Sequence, residues 1–124
     1  GIPQVYYVGL LAGGNDMELL ARTGVGRDIN RHHFTRAEID GELRRPVVRA
    51  LADLIRLRNS HPAFQGTFEV TGQGSELVMR WTNQDASATL AADVAAPSAR
   101  ITTTDGSGRV VVCDDLLTGS SVLS

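Results

Sequence analysis

The sequence GRDINRH, residues 26–32, is the stretch on which the fold prediction depends. It is polar and begins with glycine, and it lies between an apolar run at residues 5–11 and the most strongly helical part of the chain. Connections inside a compact domain are usually about four to six residues long, and longer ones often carry binding or catalytic side chains. We therefore take residues 26–32 as the candidate functional loop.

The residues before this loop predict a buried β-strand. Val5–Leu11 are apolar almost without interruption, and the extended pattern reaches back to Ile2. A continuous apolar run is typical of a strand that is covered on both faces in a parallel sheet. Because the pattern starts directly after Gly1, it suggests a chain that is entered midway.

Helices are predicted on both sides of the loop. Residues 16–22 contain good helix formers, with Asp16 or the residue before it as the N-terminal cap. The sequence TRAE at residues 35–38 is a capping box, which predicts a short helix behind it. Pro46 suits the first turn of a longer helix, and apolar side chains recur at helical spacing from residue 47 to residue 55.

The pattern changes near residues 61–66, where helical periodicity gives way to short alternating segments separated by Gly, Ser, Asn and Asp. In the predicted strand at residues 76–82, Trp81 lies on the same face as Leu77 and Met79, which predicts that it packs in a core. The fold prediction is therefore α/β for residues 1–64, followed by an all-β domain at residues 65–124. Strands are predicted at residues 67–71, 76–82, 86–94, 100–104 and 109–113, with turns at 72–75 and 105–108.

The composition argues against several classes of protein. A chain of 124 residues is long enough for one domain and short for two ordinary ones. The formal net charge of −2 leaves no electrostatic footprint for nucleic acid or an anionic membrane. No apolar run approaches the ~18–20 residues of a membrane helix, so a cytoplasmic location is expected. The single cysteine, Cys113, is expected to be a half-buried apolar side chain.

Several residues invite a chemical interpretation that the sequence does not support. His32 and His33 are adjacent, so their side chains are expected to point apart, and no third ligand has suitable spacing for a metal. Glu38 and Glu42 are more typical of a solvated helix face than of an acid–base pair. The glycines in residues 9–14 match neither nucleotide-binding pattern, so no cofactor is expected.

Arg27 and Asp28 are the candidate binding residues. An arginine between glycine and an acid, in a loop, presents a planar fork of donors that suits sugar hydroxyls and carboxylates. The alternative is a structural arginine that pairs with a nearby carboxylate. Both roles are compatible with one another.

Several stretches of the sequence resemble a known family. GIPQVYY at residues 1–7 resembles the last barrel strand of the α-amylase superfamily of glycoside hydrolases. GLLAGGND at residues 9–16, followed by residues 26–32, is similar to the sucrose phosphorylase branch of that superfamily. Residues 45–48 and 57–64 match its final barrel helix, whereas the β tail resembles the family only loosely.

The resemblance implies a TIM-type barrel enzyme that transfers glucose from sucrose to phosphate through a covalent glucosyl-enzyme, with retention of configuration. It places the arginine matching Arg27 in the glucosyl subsite, paired with an upstream aspartate. The nucleophile, the acid/base glutamate and the stabilising aspartate lie on earlier strands, so no catalytic residue is in this chain. The piece alone is therefore expected to be inactive without its N-terminal barrel portion.

Three alternatives stay open. A glucosylglycerate phosphorylase, or a related α-glucoside phosphorylase, would share the same C-terminal portion. A noncatalytic β interaction or carbohydrate-binding module would need an exposed aromatic platform, which the 5% aromatic composition and the position of Trp81 disfavour. Self-association, for example into a homodimer, would use the unpaired edge of the predicted first strand.

Overall fold

Helices precede strands along the chain in the computed structural model, which describes residues 4–123. The chain divides into two compact units, Gly1–Leu51 and Ala52–Ser124, and the division falls within the last α-helix. The α-helices are α1 (Tyr7–Leu10), α2 (Met17–Thr23), α3 (Arg36–Glu42) and α4 (Pro46–Ser60), and 3₁₀ turns lie at Gly26–Asn30, Pro62–Gln65 and Ser120–Leu123. The strands are β1 (Thr67–Gln73), β2 (Glu76–Asn83), β3 (Ala86–Asp93), β4 (Ser98–Thr104) and β5 (Val110–Cys113).

The prediction of a strand at residues 5–11 is wrong. The α/β prediction for residues 1–64 is corrected with it, because the described part of this range contains helices and 3₁₀ turns but no strand. Within this segment α1 forms one helical turn, closed by hydrogen bonds from Leu10 N to Tyr6 O (2.9 Å) and from Leu11 N to Tyr7 O (3.1 Å). A parallel strand satisfies its backbone only through neighbouring strands, and residues 4–51 contain none. The segment therefore makes its hydrogen bonds locally, and the strand edge proposed for self-association is absent there. Residues 1–3 of the predicted strand lie outside the described residues.

The helix predictions are confirmed by their caps. The Asp16 carboxylate accepts a hydrogen bond from Leu19 N (2.8 Å) at the start of α2. At the start of α3 the Thr35 hydroxyl accepts from Glu38 N (3.3 Å), and the Glu38 carboxylate accepts from Thr35 N (2.6 Å). Both halves of the capping box are therefore formed. None of the described helices is long and apolar enough to cross a membrane.

The five predicted strands are confirmed and form one antiparallel sheet in the order β1-β2-β3-β4-β5. The β1–β2 hairpin is tighter than predicted, because its strands extend to Gln73 and from Glu76. Only two residues remain in the turn, and Gly74 takes the left-handed conformation there (φ 61°). The register places Trp81 opposite Phe68 on one side and Ala88 on the other.

One face of the sheet carries the core of the second unit. The buried residues Leu57, Ile101, Cys113 and Leu123 form one cluster, so Cys113 is buried more deeply than expected. The ring of Trp81 packs between Phe64 (centroids 5.0 Å apart) and Phe68 (4.8 Å), beside a second cluster of buried alanines. The prediction that Trp81 packs in a core is therefore confirmed.

Candidate functional site

The loop that carries Arg27 connects α2 to α3 in the first unit, and we refer to residues 24–35 as the Arg27 loop. Its middle is the 3₁₀ turn Gly26–Asn30, closed by hydrogen bonds from Asp28 N to Val25 O (2.8 Å) and from Arg31 N to Asp28 O (3.1 Å). The Ile29 carbonyl accepts a hydrogen bond from Asp16 N (2.6 Å). This bond ties the turn to the residue that caps α2.

The two predicted binding residues differ in exposure. Arg27 is exposed and Asp28 is half-buried. Within residues 4–123 neither side chain makes a hydrogen bond or an ion pair, so the structural-arginine alternative finds no partner there. The guanidinium donors of Arg27 are therefore not engaged in a hydrogen bond or an ion pair with the described part of the chain.

His32, at the far side of the loop, lies between two carboxylates. Its Nδ1 atom is 2.7 Å from Asp16 Oδ2, and its Nε2 atom is 3.4 Å from Glu38 Oε1. The Tyr7 hydroxyl donates to the His32 carbonyl oxygen (3.0 Å), and the Phe34 ring meets the imidazole edge-on with centroids 4.7 Å apart. Both the backbone and the side chain of His32 are therefore fixed.

The electrostatics of this cluster favour a charged imidazole. The hydrogen bond that the Asp16 carboxylate accepts from the imidazole is the largest influence that raises the pKa of His32, and Glu38 acts in the same direction. The pKa of Asp16 is lowered first by its bond from the Leu19 amide and then by His32. The pKa of Glu38 is lowered chiefly by the Thr35 amide and hydroxyl, with a smaller influence from His32.

The two glutamates that the sequence places on one helix face make different contacts. Glu38 faces His32, whereas Glu42 pairs with Arg45. The Arg45 guanidinium also donates to the carbonyl oxygens of Ala12 (3.2 Å) and Leu11 (3.4 Å). The structure thus gives each carboxylate its own partner, and they do not form an acid–base pair.

We refer to His32, Asp16 and Glu38 as the His32 cluster. An open cleft of about 480 Å³ lies beside it. Its walls include His32, Glu42 and Arg45, but Arg27 and Asp28 do not line it. Over the described residues, no group of three or more His, Cys, Asp and Glu side chains is arranged to hold a metal ion. His33, the neighbour of His32, is exposed.

The His32 cluster is the feature that sequence reasoning missed. The caps at Asp16 and Glu38 were each predicted from local sequence, but each was assigned only to its own helix. Their meeting at His32 depends on tertiary structure, because Asp16 lies 16 residues before the histidine. An unused acceptor oxygen on each capping carboxylate was the only signal in the sequence.

Comparisons with known proteins find relatives of this chain. No protein-family model matches the chain. The chain is 65% identical over 82 residues to a sucrose phosphorylase of Agrobacterium vitis, covering 65% of this chain and 17% of that protein. It is 54% identical over 91 residues to a sucrose phosphorylase of Bifidobacterium adolescentis, covering 73% of this chain and 18% of that protein. It is 44% identical over 106 residues to a glucosylglycerol phosphorylase of Marinobacter adhaerens, covering 85% of this chain and 22% of that protein.

A solved structure shows the same fold. The crystal structure of sucrose 6F-phosphate phosphorylase from Thermoanaerobacter thermosaccharolyticum matches 93% of this chain and 24% of its own, with a TM-score of 0.86 and 39% identity. The chain spans 17–22% of the length of the three relatives above. The chain is therefore similar to the sucrose phosphorylase branch of the α-amylase superfamily of glycoside hydrolases, whose members it matches over their C-terminal portion.

Proposed function

We propose that the intact protein containing this chain is a retaining phosphorylase that transfers glucose from sucrose to phosphate, giving glucose 1-phosphate and fructose. The observation that carries this proposal is the 65% identity to a sucrose phosphorylase over 82 residues. In such a reaction a carboxylate attacks the anomeric carbon, and a protonated acid assists the departure of fructose. A phosphate oxygen then displaces the carboxylate from the glucosyl-enzyme, so configuration is retained.

The groups that perform these steps would lie in the N-terminal barrel portion of the intact protein. Residues 1–64 would contribute the last part of the catalytic TIM-type barrel, and residues 65–124 would form its C-terminal β domain. This division follows the change from helices to strands along the chain, because β1 begins at Thr67. Active sites of such barrels are built from loops at one face, which is the type of position proposed for the Arg27 loop.

Arg27 and Asp28 would bind the glucosyl group. The Arg27 guanidinium is exposed and makes no ion pair with any described residue, so its donors are available to sugar hydroxyls. Asp28 is half-buried and would offer carboxylate oxygens as acceptors from the same hydroxyls. An aspartate from the barrel portion would hold the guanidinium in register with the sugar.

A second candidate is a phosphorylase of another α-glucoside. The chain is 44% identical to a glucosylglycerol phosphorylase and 39% identical, over 70 residues, to a glucosylglycerate phosphorylase of Allomeiothermus silvanus. The loops that would distinguish these acceptors lie mainly outside this chain. A noncatalytic β module is less well supported, because Trp81 packs between two rings and only Phe68 of the three is exposed.

A donor panel tests the proposal. The full-length protein is incubated with phosphate and sucrose, sucrose 6F-phosphate, glucosylglycerol or glucosylglycerate, and release of glucose 1-phosphate is measured. The largest kcat/KM with sucrose is expected. A larger kcat/KM with another donor would keep the phosphorylase class and change the substrate, and no product from any donor would contradict the class.

A further inference from the structure

We propose that Asp16 and His32 are positioning residues that hold the Arg27 loop in the conformation that binds the sugar. This inference rests on the function proposed above, since it concerns how Arg27 is presented to the glucosyl group. The inference rests on two contacts between the loop and Asp16, one made by Ile29 and the other by His32.

Three of the hydrogen bonds of Asp16 use three different atoms of the residue. Its Oδ1 atom caps α2 through Leu19 N (2.8 Å), its amide donates to Ile29 O (2.6 Å), and its Oδ2 atom lies 2.7 Å from His32 Nδ1. Because Asp16 is fixed at the start of a helix, its hydrogen bonds hold both Ile29 and His32 against one rigid residue. Arg27 lies two residues before Ile29, in the same 3₁₀ turn.

His32 extends this attachment to the next helix. Its Nε2 atom faces Glu38, which closes the capping box of α3, so the imidazole joins the first turns of α2 and α3. The Tyr7 hydroxyl holds the His32 carbonyl from α1. The Arg27 loop is therefore anchored just after its 3₁₀ turn by groups from three helices, while the Arg27 side chain stays free.

The protonation of His32 decides whether both carboxylate contacts can form. An imidazolium donates from both ring nitrogens, whereas a neutral imidazole donates from only one and turns a lone pair toward the other carboxylate. The titratable groups that contact His32 are Tyr7 from α1, Asp16 at the start of α2 and Glu38 from α3. Two arginines lie further out: the charge of Arg22 lowers the pKa of Asp16, and the charge of Arg31 acts to lower the pKa of Tyr7.

The sign of the pH dependence follows from these contacts. The pKa of His32 is raised, so the double contact is complete below the ordinary histidine value of about 6.5. It is lost as the pH rises through the raised pKa. The pKa values of Asp16 and Glu38 are lowered, so both stay charged until the pH falls below the ordinary carboxyl range of about 4.

The test compares His32→Gln with His33→Gln in the full-length protein. His33 is the exposed neighbour and serves as the matched control. His32→Gln is expected to lower kcat/KM for the glucoside roughly 10–100-fold, mainly through KM, because the arginine is misplaced rather than removed. The loss of kcat/KM in His32→Gln relative to wild type should be largest below pH 6.5 and should shrink as the pH rises. The pH profile of kcat/KM for His33→Gln should follow that of the wild type.

A double variant separates positioning from a merely structural role. If His32 acts through Arg27, adding His32→Gln to Arg27→Ala should lower kcat/KM little further. Fully additive losses, or a His32→Gln enzyme with the wild-type pH profile, would contradict the inference.

Amide hydrogen exchange of residues 24–35 gives a readout that does not need activity. His32→Gln should speed exchange in this loop, and His33→Gln should not. Unchanged exchange in His32→Gln would overturn the positioning role, whereas a wild-type protein that forms no glucose 1-phosphate from any donor would contradict the proposed function instead.

Discussion

The hydroxyl of Ser120 donates a hydrogen bond of 2.9 Å to the carboxylate of Asp53, which lies 67 residues earlier in the chain. Ser120 is buried, with 4% of its surface exposed, and Asp53 also pairs with Arg56 (2.6 Å). The bond fixes the last 3₁₀ turn against α4 within the second unit. Leu123, in the same turn, is thereby held in the core cluster with Leu57.

Ser120→Ala should destabilise the second unit. The substitution leaves a carboxylate oxygen without its buried donor, which costs about 1–3 kcal/mol in comparable cases. Urea unfolding followed by Trp81 fluorescence measures the loss, because Trp81 lies in the same unit. Ser98→Ala, at an exposed position in β4, is the control and should change the free energy of unfolding by less than about 0.5 kcal/mol. Equal stability of the two variants would contradict the role of the bond.

Gly66→Ala should also destabilise this unit, for a steric reason. A Cβ atom at Gly66 would lie 1.9 Å from the Thr82 carbonyl oxygen and 2.7 Å from Asn83 Cβ. The chain must shift where it enters β1, and overpacking of this kind costs about 1–3 kcal/mol. Gly106→Ala is the control, since nothing lies within 4 Å of its Cβ position. Thermal unfolding of both variants distinguishes them, and a Gly66→Ala protein as stable as wild type would show that the close approach is not needed.

Cys113 should react slowly with thiol reagents in the native protein. It is 3% exposed, burial is the largest influence that raises the pKa of its thiol, and its Sγ atom donates to the Asp115 carbonyl oxygen (3.3 Å). A raised pKa means less of the reactive thiolate at any given pH. Alkylation at pH 8 should therefore be at least tenfold slower in buffer than in 8 M urea, on the order expected for a buried thiol. Equal rates would place Cys113 at the surface.

Arg27→Ala in the full-length enzyme should weaken glucosyl binding without unfolding the protein. The side chain is exposed and makes no ion pair with described residues, so its loss should leave the melting temperature unchanged. Removing a charged donor to the sugar should lower kcat/KM for sucrose about 10²–10³-fold. Arg27→Lys keeps the charge but loses the planar fork, so it should recover activity only in part. Arg44→Ala, at another exposed arginine of the first unit, is the control. Wild-type kinetics in Arg27→Ala would remove this residue from the site.

The sequence predicts those parts of the fold that have local causes. The capping box of Thr35 and Glu38 is complete within four residues and is confirmed, and the predicted core position of Trp81 is confirmed by its packing beside the buried alanines. The prediction of a strand at residues 5–11 failed because a continuous apolar run has no periodicity that distinguishes a strand from a helix. The backbone partners that a strand would need are also not close in sequence.

The His32 cluster could not be predicted for a related reason. Each of Asp16, His32 and Glu38 has an ordinary local role, and only the packing of α2, the Arg27 loop and α3 brings the three together. Arg27 and Asp28 as binding residues remain a prediction that came from the chemistry of the loop and from the family resemblance. The depth of Cys113 depends on Leu57 and Leu123, which lie far from it in sequence.

The most direct measurement is the formation of glucose 1-phosphate from sucrose and phosphate, with the full-length protein and the 124-residue chain assayed side by side at equal concentration. Product from the full-length protein alone is expected, because the nucleophile and the acid/base group are proposed to lie in an N-terminal barrel portion. Product from the 124-residue chain would contradict the assignment of the chemistry to that portion, and no product from either would contradict the sucrose phosphorylase function itself.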